Sequence, residues 1–241
     1  MQHIFENIGG EFVHSYTAFA QRLSHIKAFL FDWDGVFNAG IKSHQVGSLF
    51  CEPDSAGLNF MRFGHWLQHA QTQPLVGIIT GAYNPTAFEL AQREHFKVVY
   101  FRFSNKKEAF MHFCDTHQLA PHQVAFAFDD VFDLTVGSLC GLRFLVRRTS
   151  SPLFTQYVRQ NHLADYITGN TGENGAVREI SELVLATRNN FETVMQERIT
   201  HSPKYVQYVE ERNTITPTYF SWKKSGEVFA VENPEQLNLK L

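Results

Sequence analysis

Short apolar runs that stop abruptly at acids or hydroxyls recur along this chain, separated by longer segments whose apolar positions fall three and four apart. Such runs predict buried strands, and the spacing between them predicts amphipathic helices. A helix is expected over residues 10–24, through Phe12, Val13, Tyr16, Phe19, Ala20 and Leu23, leading into a strand that ends at Phe31. Further helices are expected at 58–71, 85–94, 106–117, 131–139, 152–161 and 176–190, with strands at 75–79, 98–101, 124–128, 143–146 and 166–168 between them. Pro85 suits the first turn of its helix. Strands alternating with helices of these lengths predict parallel βαβ units, wound right-handed into an α/β layered sandwich.

Chemistry enters where the strands end. Lys27-Ala-Phe-Leu-Phe runs into Asp32-Trp-Asp34-Gly35, placing two carboxylates at the carboxyl end of a central strand, the edge where open α/β sheets bind ligands. Alternation sends Asp32 and Asp34 one way and Trp33 the other. Two such acids repel unless a cation joins them, and magnesium is the natural counter-charge. Val76-Gly-Ile-Ile ends in Thr80-Gly81, and Val124-Ala-Phe-Ala-Phe ends in Asp129-Asp130. Asp133 either orients those acids or occupies a helix's first turn, where the dipole favours it.

In chain order, Asp32-Trp-Asp34-Gly35, Thr80-Gly81, Lys106 within Phe103-Ser-Asn-Lys-Lys, and Asp129-Asp130 resemble the four motifs of the haloacid dehalogenase superfamily. The resemblance runs from about Ile26 to Leu185. Within it the chain is similar to the small capless phosphatases that act on 3-deoxy-octulosonate and nonulosonate phosphates. Asp54-Ser55-Ala-Gly57 matches that group's Asp-Ser-Ala-Gly segment, and Gly172-Glu-Asn-Gly175-Ala-Val-Arg178-Glu179 matches its Gly-Gly-x-Gly-Ala-Val-Arg-Glu signature. The resemblance implies a three-layer Rossmann-like fold with a central parallel sheet, a small β-hairpin flap over residues 41–50 and no large cap. It also implies that the flap packs against neighbouring subunits in a homotetramer.

Roles follow from the same resemblance. Asp32 is the expected nucleophile, Asp34 the general acid and base, and Thr80, the N–H beside Gly81 and Lys106 the phosphate contacts. Asp32, Asp34 through its carbonyl, Asp129 and Asp130 are the expected magnesium ligands. Asp54, Ser55 and Gly57 are expected on the substrate side. Ala82 stands where relatives carry arginine or glutamate, Ser48 where they carry lysine, and Phe128 where they carry glycine. The implied activity is hydrolysis of a small-molecule phosphate ester, a sugar or sugar-acid phosphate. A catalytically silent binding or scaffolding protein is the rival, and a phosphomutase is disfavoured by the lack of a cap.

Composition narrows the partners. A formal charge of −3 without a long basic run leaves no electrostatic footprint for nucleic acid. Apolar segments too short for a bilayer, and an N-terminus without a signal pattern, make cytoplasmic residence the expectation. Cys51, Cys114 and Cys140 form no CxxC pair and read as small buried hydrophobes, while His65 and His69 lack a carboxylate that would make a metal site. Beyond Thr187 the resemblance stops. Residues 191–199 extend the last helix, and Tyr205, Tyr208, Tyr219, Phe220 and Trp222 mark a segment that docks on the core or a partner subunit. The expected division is a core at 1–187 and an extension at 188–241.

Overall fold

The computed structural model describes residues 1–42, 48–223 and 226–234. Its centre is built by the buried strands β2 (Ala28–Phe31), β3 (Leu75–Ile79, of which Leu75 alone is partly exposed) and β5 (Val124–Phe128). They pair in parallel, with Ala28 opposite both Leu75 and Val124 and Phe31 opposite both Ile78 and Ala127. On one face Phe29 and Phe31 lie beside Ala125 and Ala127; on the other, Ala28 and Leu30 lie beside Val124 and Phe126. On the first face large residues on one strand thus meet small ones on its neighbour, which keeps that layer evenly filled.

The remaining strands are β1 (Glu11–Phe12), β4 (Val98–Tyr100), β6 (Leu142–Leu145), β7 (Tyr166–Ile167), β8 (Thr218–Trp222) and β9 (Val228–Val231). Among the described residues all join one nine-stranded sheet in the order β1-β7-β6-β5-β2-β3-β4-β8-β9, with antiparallel pairing only at the two ends, β1 on β7 and β9 on β8. Helices α2 (Tyr16–Leu23), α3 (Glu52–Gln68), α4 (Pro85–Arg93) and α8 (Ala176–Thr187) contribute to the core on the Phe29 and Phe31 side. On the opposite side lie α5 (Lys106–His117), α6 (Leu134–Gly137) and α7 (Pro152–Gln160). The α/β layered fold matches the sequence expectation.

Several elements differ from the expected ones for local reasons. The first long helix starts at Tyr16, where the Ser15 side chain accepts from the Ala18 N–H at 3.2 Å; a shorter helix α1 (Gln2–Asn7) and β1 precede it. Residues 131–139 split into a 3-10 turn, Val131–Asp133, followed by α6. α8 stops at Thr187, Asn189 takes a φ of 53°, and a separate helix α9 (Phe191–Ile199) follows. The hairpin expected over 41–50 falls partly on residues 43–47, outside the described residues; Ile41, Lys42 and 48–50 are neither helix nor strand.

The C-terminal aromatics have structural work. In α10 (Pro203–Asn213), Tyr205 and Tyr208 pack with Phe63 and Trp66 of α3, and the Trp66 Nε1–H donates to Glu211 Oε2 at 2.7 Å. β8 then lies parallel to β4, stacking Phe220 on Tyr100 at 5.2 Å between ring centroids. Among the described residues no helix is long and apolar enough to cross a membrane.

Candidate active site

Asp32 follows the last residue of β2, and its N–H still donates to the Ala127 carbonyl of β5 at 2.9 Å. Asp129 follows the last residue of β5, so the strand ladder brings both acids to one sheet edge. The 3-10 turn then returns Asp133 to the same place. Oxygens of Asp32, Asp129 and Asp133 lie within 4.8 Å of one another, and the three residues are only 6%, 3% and 1% exposed.

Two cations face these acids. Lys106, the first residue of α5, places Nζ 2.7 Å from Asp32 Oδ1 and 2.6 Å from Asp133 Oδ1. Arg148 pairs through Nη1 with Asp129 Oδ2 and donates through Nη2 to the Ala39 carbonyl at 3.2 Å. Burial pushes the Asp129 carboxyl up to about 7, with the charge of Asp32 adding to the rise and Arg148 opposing it. Burial and Asp32 likewise raise Asp133 well above the ordinary range against the pull of Lys106. For Lys106 burial works against the charge, but Asp32 and Asp133 outweigh it and the ammonium is held more tightly than usual. Buried acids thus outnumber the cations beside them, and every donor is a carboxylate oxygen. That set suits a hard divalent cation.

Asp34 belongs to a different environment. Its Oδ1 accepts from Ser48 Oγ at 2.9 Å, while Oδ2 accepts from Asn84 Nδ2 at 3.0 Å and pairs with Lys42. Asn84 precedes α4 as its cap residue but makes no capping bond; its amide serves Asp34 and, at 2.9 Å, Thr80 Oγ1 instead. Thr80 follows the last residue of β3, with its N–H on the Tyr100 carbonyl at 2.8 Å, and Gly81 beside it is exposed. Trp33 turns into the core. Gly35 is needed where it stands: φ is +87°, and a Cβ there would lie 2.0 Å from Asp129 Oδ2.

The structure therefore gathers Asp32, Asp129 and Lys106, with Asp34, Thr80 and Gly81 at the adjoining turns. Four expected site residues do not join them. The Asp130 carboxylate accepts from the Val131 N–H at 2.6 Å, capping the 3-10 turn, and Asp133 enters the acid cluster where Asp130 was expected. Asp54, Ser55 and Gly57 lie inside α3, because that helix begins at Glu52 rather than at 58. Asp54 accepts from the Arg178 N–H at 2.7 Å and the Cys51 thiol at 2.9 Å, tying α3 to the start of α8. Ser55 donates to Glu94 at 2.6 Å, and a Cβ on Gly57 would lie 3.1 Å from the Arg178 Cα. In their contacts these three let two helices pack closely.

The signature after β7 is also structural in its contacts. Glu179 accepts from Tyr166 Oη at 2.7 Å and from the Gly169 and Asn170 N–H groups at 2.8 Å. His65 stacks on His69 with ring centroids 3.8 Å apart and meets Arg188, and burial drives its pKa down to about 2. Sequence reasoning missed Lys42, Asn84 and Arg148 as neighbours of the acids. For Asn84 the polar residue just before Pro85 was a usable signal; for the other two, contact depends on loop placement.

No protein-family model matches the chain. Among curated proteins it is similar to the 3-deoxy-D-manno-octulosonate 8-phosphate phosphatase KdsC of Yersinia pestis, with 28% identity over 173 residues, 71% of this chain and 86% of that one. Among solved structures it is similar to the 3-deoxy-D-manno-octulosonate 8-phosphate phosphatase of Moraxella catarrhalis in complex with magnesium, phosphate and KDO. That match has a TM-score of 0.63 and 26% identity, covering 76% of this chain and 98% of the other. A Legionella pneumophila structure ascribed to the haloacid dehalogenase superfamily, subfamily III A, matches with a TM-score of 0.63 and 25% identity over 76% of this chain and 95% of that one.

Proposed function

We infer that this haloacid dehalogenase-like chain, similar to the octulosonate-phosphate phosphatases, is a magnesium-dependent phosphomonoesterase acting on a small phosphorylated sugar or sugar acid. One observation carries the reading: Asp32, Asp129 and Asp133 converge at strand ends around Lys106, with acid in excess of base on an all-oxygen donor set. Asp32, the Asp34 carbonyl and Asp129 would hold the ion, with Asp133 in support. Bound there, magnesium would withdraw charge from the phosphoryl oxygens.

The chain's own groups supply the rest. A carboxylate oxygen of Asp32 gives its electron pair to phosphorus in line as the ester O–P bond breaks, and that bond's pair leaves on the alcohol oxygen. Asp34 protonates the departing oxygen, then takes a proton from the water that opens the aspartyl-phosphate. Asn84 and Ser48 keep Asp34 oriented for both transfers. The Thr80 hydroxyl and the N–H groups at Gly81 receive phosphoryl oxygens, while Lys106 orients Asp32 and offsets charge.

Phosphate release from sugar phosphates, nucleotides and aryl phosphates, with magnesium present, tests this reading. Asp32→Asn should lower kcat by about a thousandfold or more, and EDTA should abolish turnover. Release that survives either change overturns it. The reading includes cytoplasmic residence, a catalytic core at 1–187 extended by 188–241, and a homotetramer on the family's pattern. Monomers in solution scattering would remove the tetramer.

A further inference from the structure

Eight non-glycine residues among those described have positive φ, and all but Arg102 lie just past a helix end. There the left-handed conformation is an ordinary way to stop a helix. Arg102 has no such reason: it follows the strand β4, at a φ of 65°. A non-glycine residue held in this region away from a helix end points to a local function.

Its surroundings say what that function concerns. The Arg102 N–H bonds the Ala82 carbonyl at 3.4 Å, and the Phe103 N–H bonds the Thr80 carbonyl at 3.3 Å. The loop after β4 is therefore stitched to the turn that carries Thr80, Gly81 and Asn84. The guanidinium lies over the ring of Tyr83, 5.4 Å from its centroid, and Tyr83 stands in the chain between Ala82 and Asn84, the residue whose amide holds Asp34. Among the described residues no carboxylate or carbonyl accepts a hydrogen bond from that guanidinium. A cation held over an aromatic face, whose planar fork of donors meets no acceptor among the described residues, is preorganised for a carboxylate. At position 82 the turn offers only a methyl group, so the cation comes from the neighbouring loop.

We propose that Arg102 is a specificity-determining residue, which binds a carboxylate on the leaving group as that group departs past Asp34 and Asn84. The proposal rests on the phosphatase reading and adds to it the residue that distinguishes acidic from neutral esters. The strained backbone is then the means of aiming the side chain along the turn.

The experiment compares ester pairs that differ by one charge: 3-deoxy-octulosonate 8-phosphate and 6-phosphogluconate, each against its carboxylate methyl ester, with magnesium present. Wild type should favour the acids. Arg102→Gly accepts the same φ without strain, so its thermal midpoint should equal or exceed that of wild type. Its acid-to-ester ratio of kcat/KM should fall by about tenfold or more, mainly through KM for the acids. Arg102→Lys, which keeps charge but not the fork, should fall between. An unchanged ratio in Arg102→Gly, or a wild type that cleaves aryl phosphates but does not favour either acid, overturns the proposal and leaves the phosphatase reading standing. A wild type that releases phosphate from no ester overturns both.

Discussion

Asp32 and Asp34 are two residues apart, yet they are held by different means. Asp32 is still tied to the strand ladder through its own N–H, and its partners Asp129 and Lys106 stand at the first positions after or within regular elements. Asp34 has left the ladder and is held by side chains from three places: Lys42, Ser48 and Asn84. Asp32, the proposed nucleophile, is thus positioned by main chain together with Lys106, and Asp34, the proposed proton-transferring acid, by side chains from loops. A rigid centre suits in-line attack, while an acid that must protonate and deprotonate benefits from partners that can adjust.

The largest expected effect tests the rigid half. Lys106→Met leaves Asp32 and Asp133 facing each other without their shared cation, which should lower kcat by about a hundredfold or more. It should also cost about 3 kcal/mol of stability, read by urea denaturation, because removing one partner strands buried charge. A variant with near-normal stability would show that the centre does not depend on that cation. Next comes the adjustable half. Asn84→Ala removes one of the donors on Asp34, and kcat should drop by about tenfold with KM little changed. A change confined to KM would instead make Asn84 a binding contact.

The smallest effect concerns the residues that tie α3 to α8. Burial raises the Asp54 carboxyl from the ordinary 3.8 to about 6. The folded chain therefore keeps a proton that the unfolded chain releases, and stability falls as pH rises from about 4 to about 6, by on the order of 3 kcal/mol. Asp54→Asn keeps an acceptor for the Arg178 N–H and should flatten that slope without altering kcat. A large loss of turnover at unchanged stability would return Asp54 to the site.

What could be read from the sequence follows the same division. The strands at 75–79 and 124–128 stand where the pattern put them, because an apolar run between a turn and an acid has few other solutions. Asp129 and Lys106 were legible as residues at element ends. Asp130 stands outside the acid cluster because consecutive residues at a strand end cannot face one point; the turn that carries Asp133 back is set by packing, not by the acidic doublet. Asp54 lies inside a helix because Pro53, in the first turn of α3, starts that helix earlier than the apolar spacing does. The alternation at Thr218–Trp222 was too weak to separate a surface strip from a strand, and β8 exists because β4 offers it an edge.

The bond from the Asp32 N–H to the Ala127 carbonyl makes the gap between Asp32 and Asp129 a ruler cut from backbone pitch. Swaps among the phenylalanines and alanines beneath would soften the layer, but the acids would stay one strand's width apart for as long as that ladder is zipped.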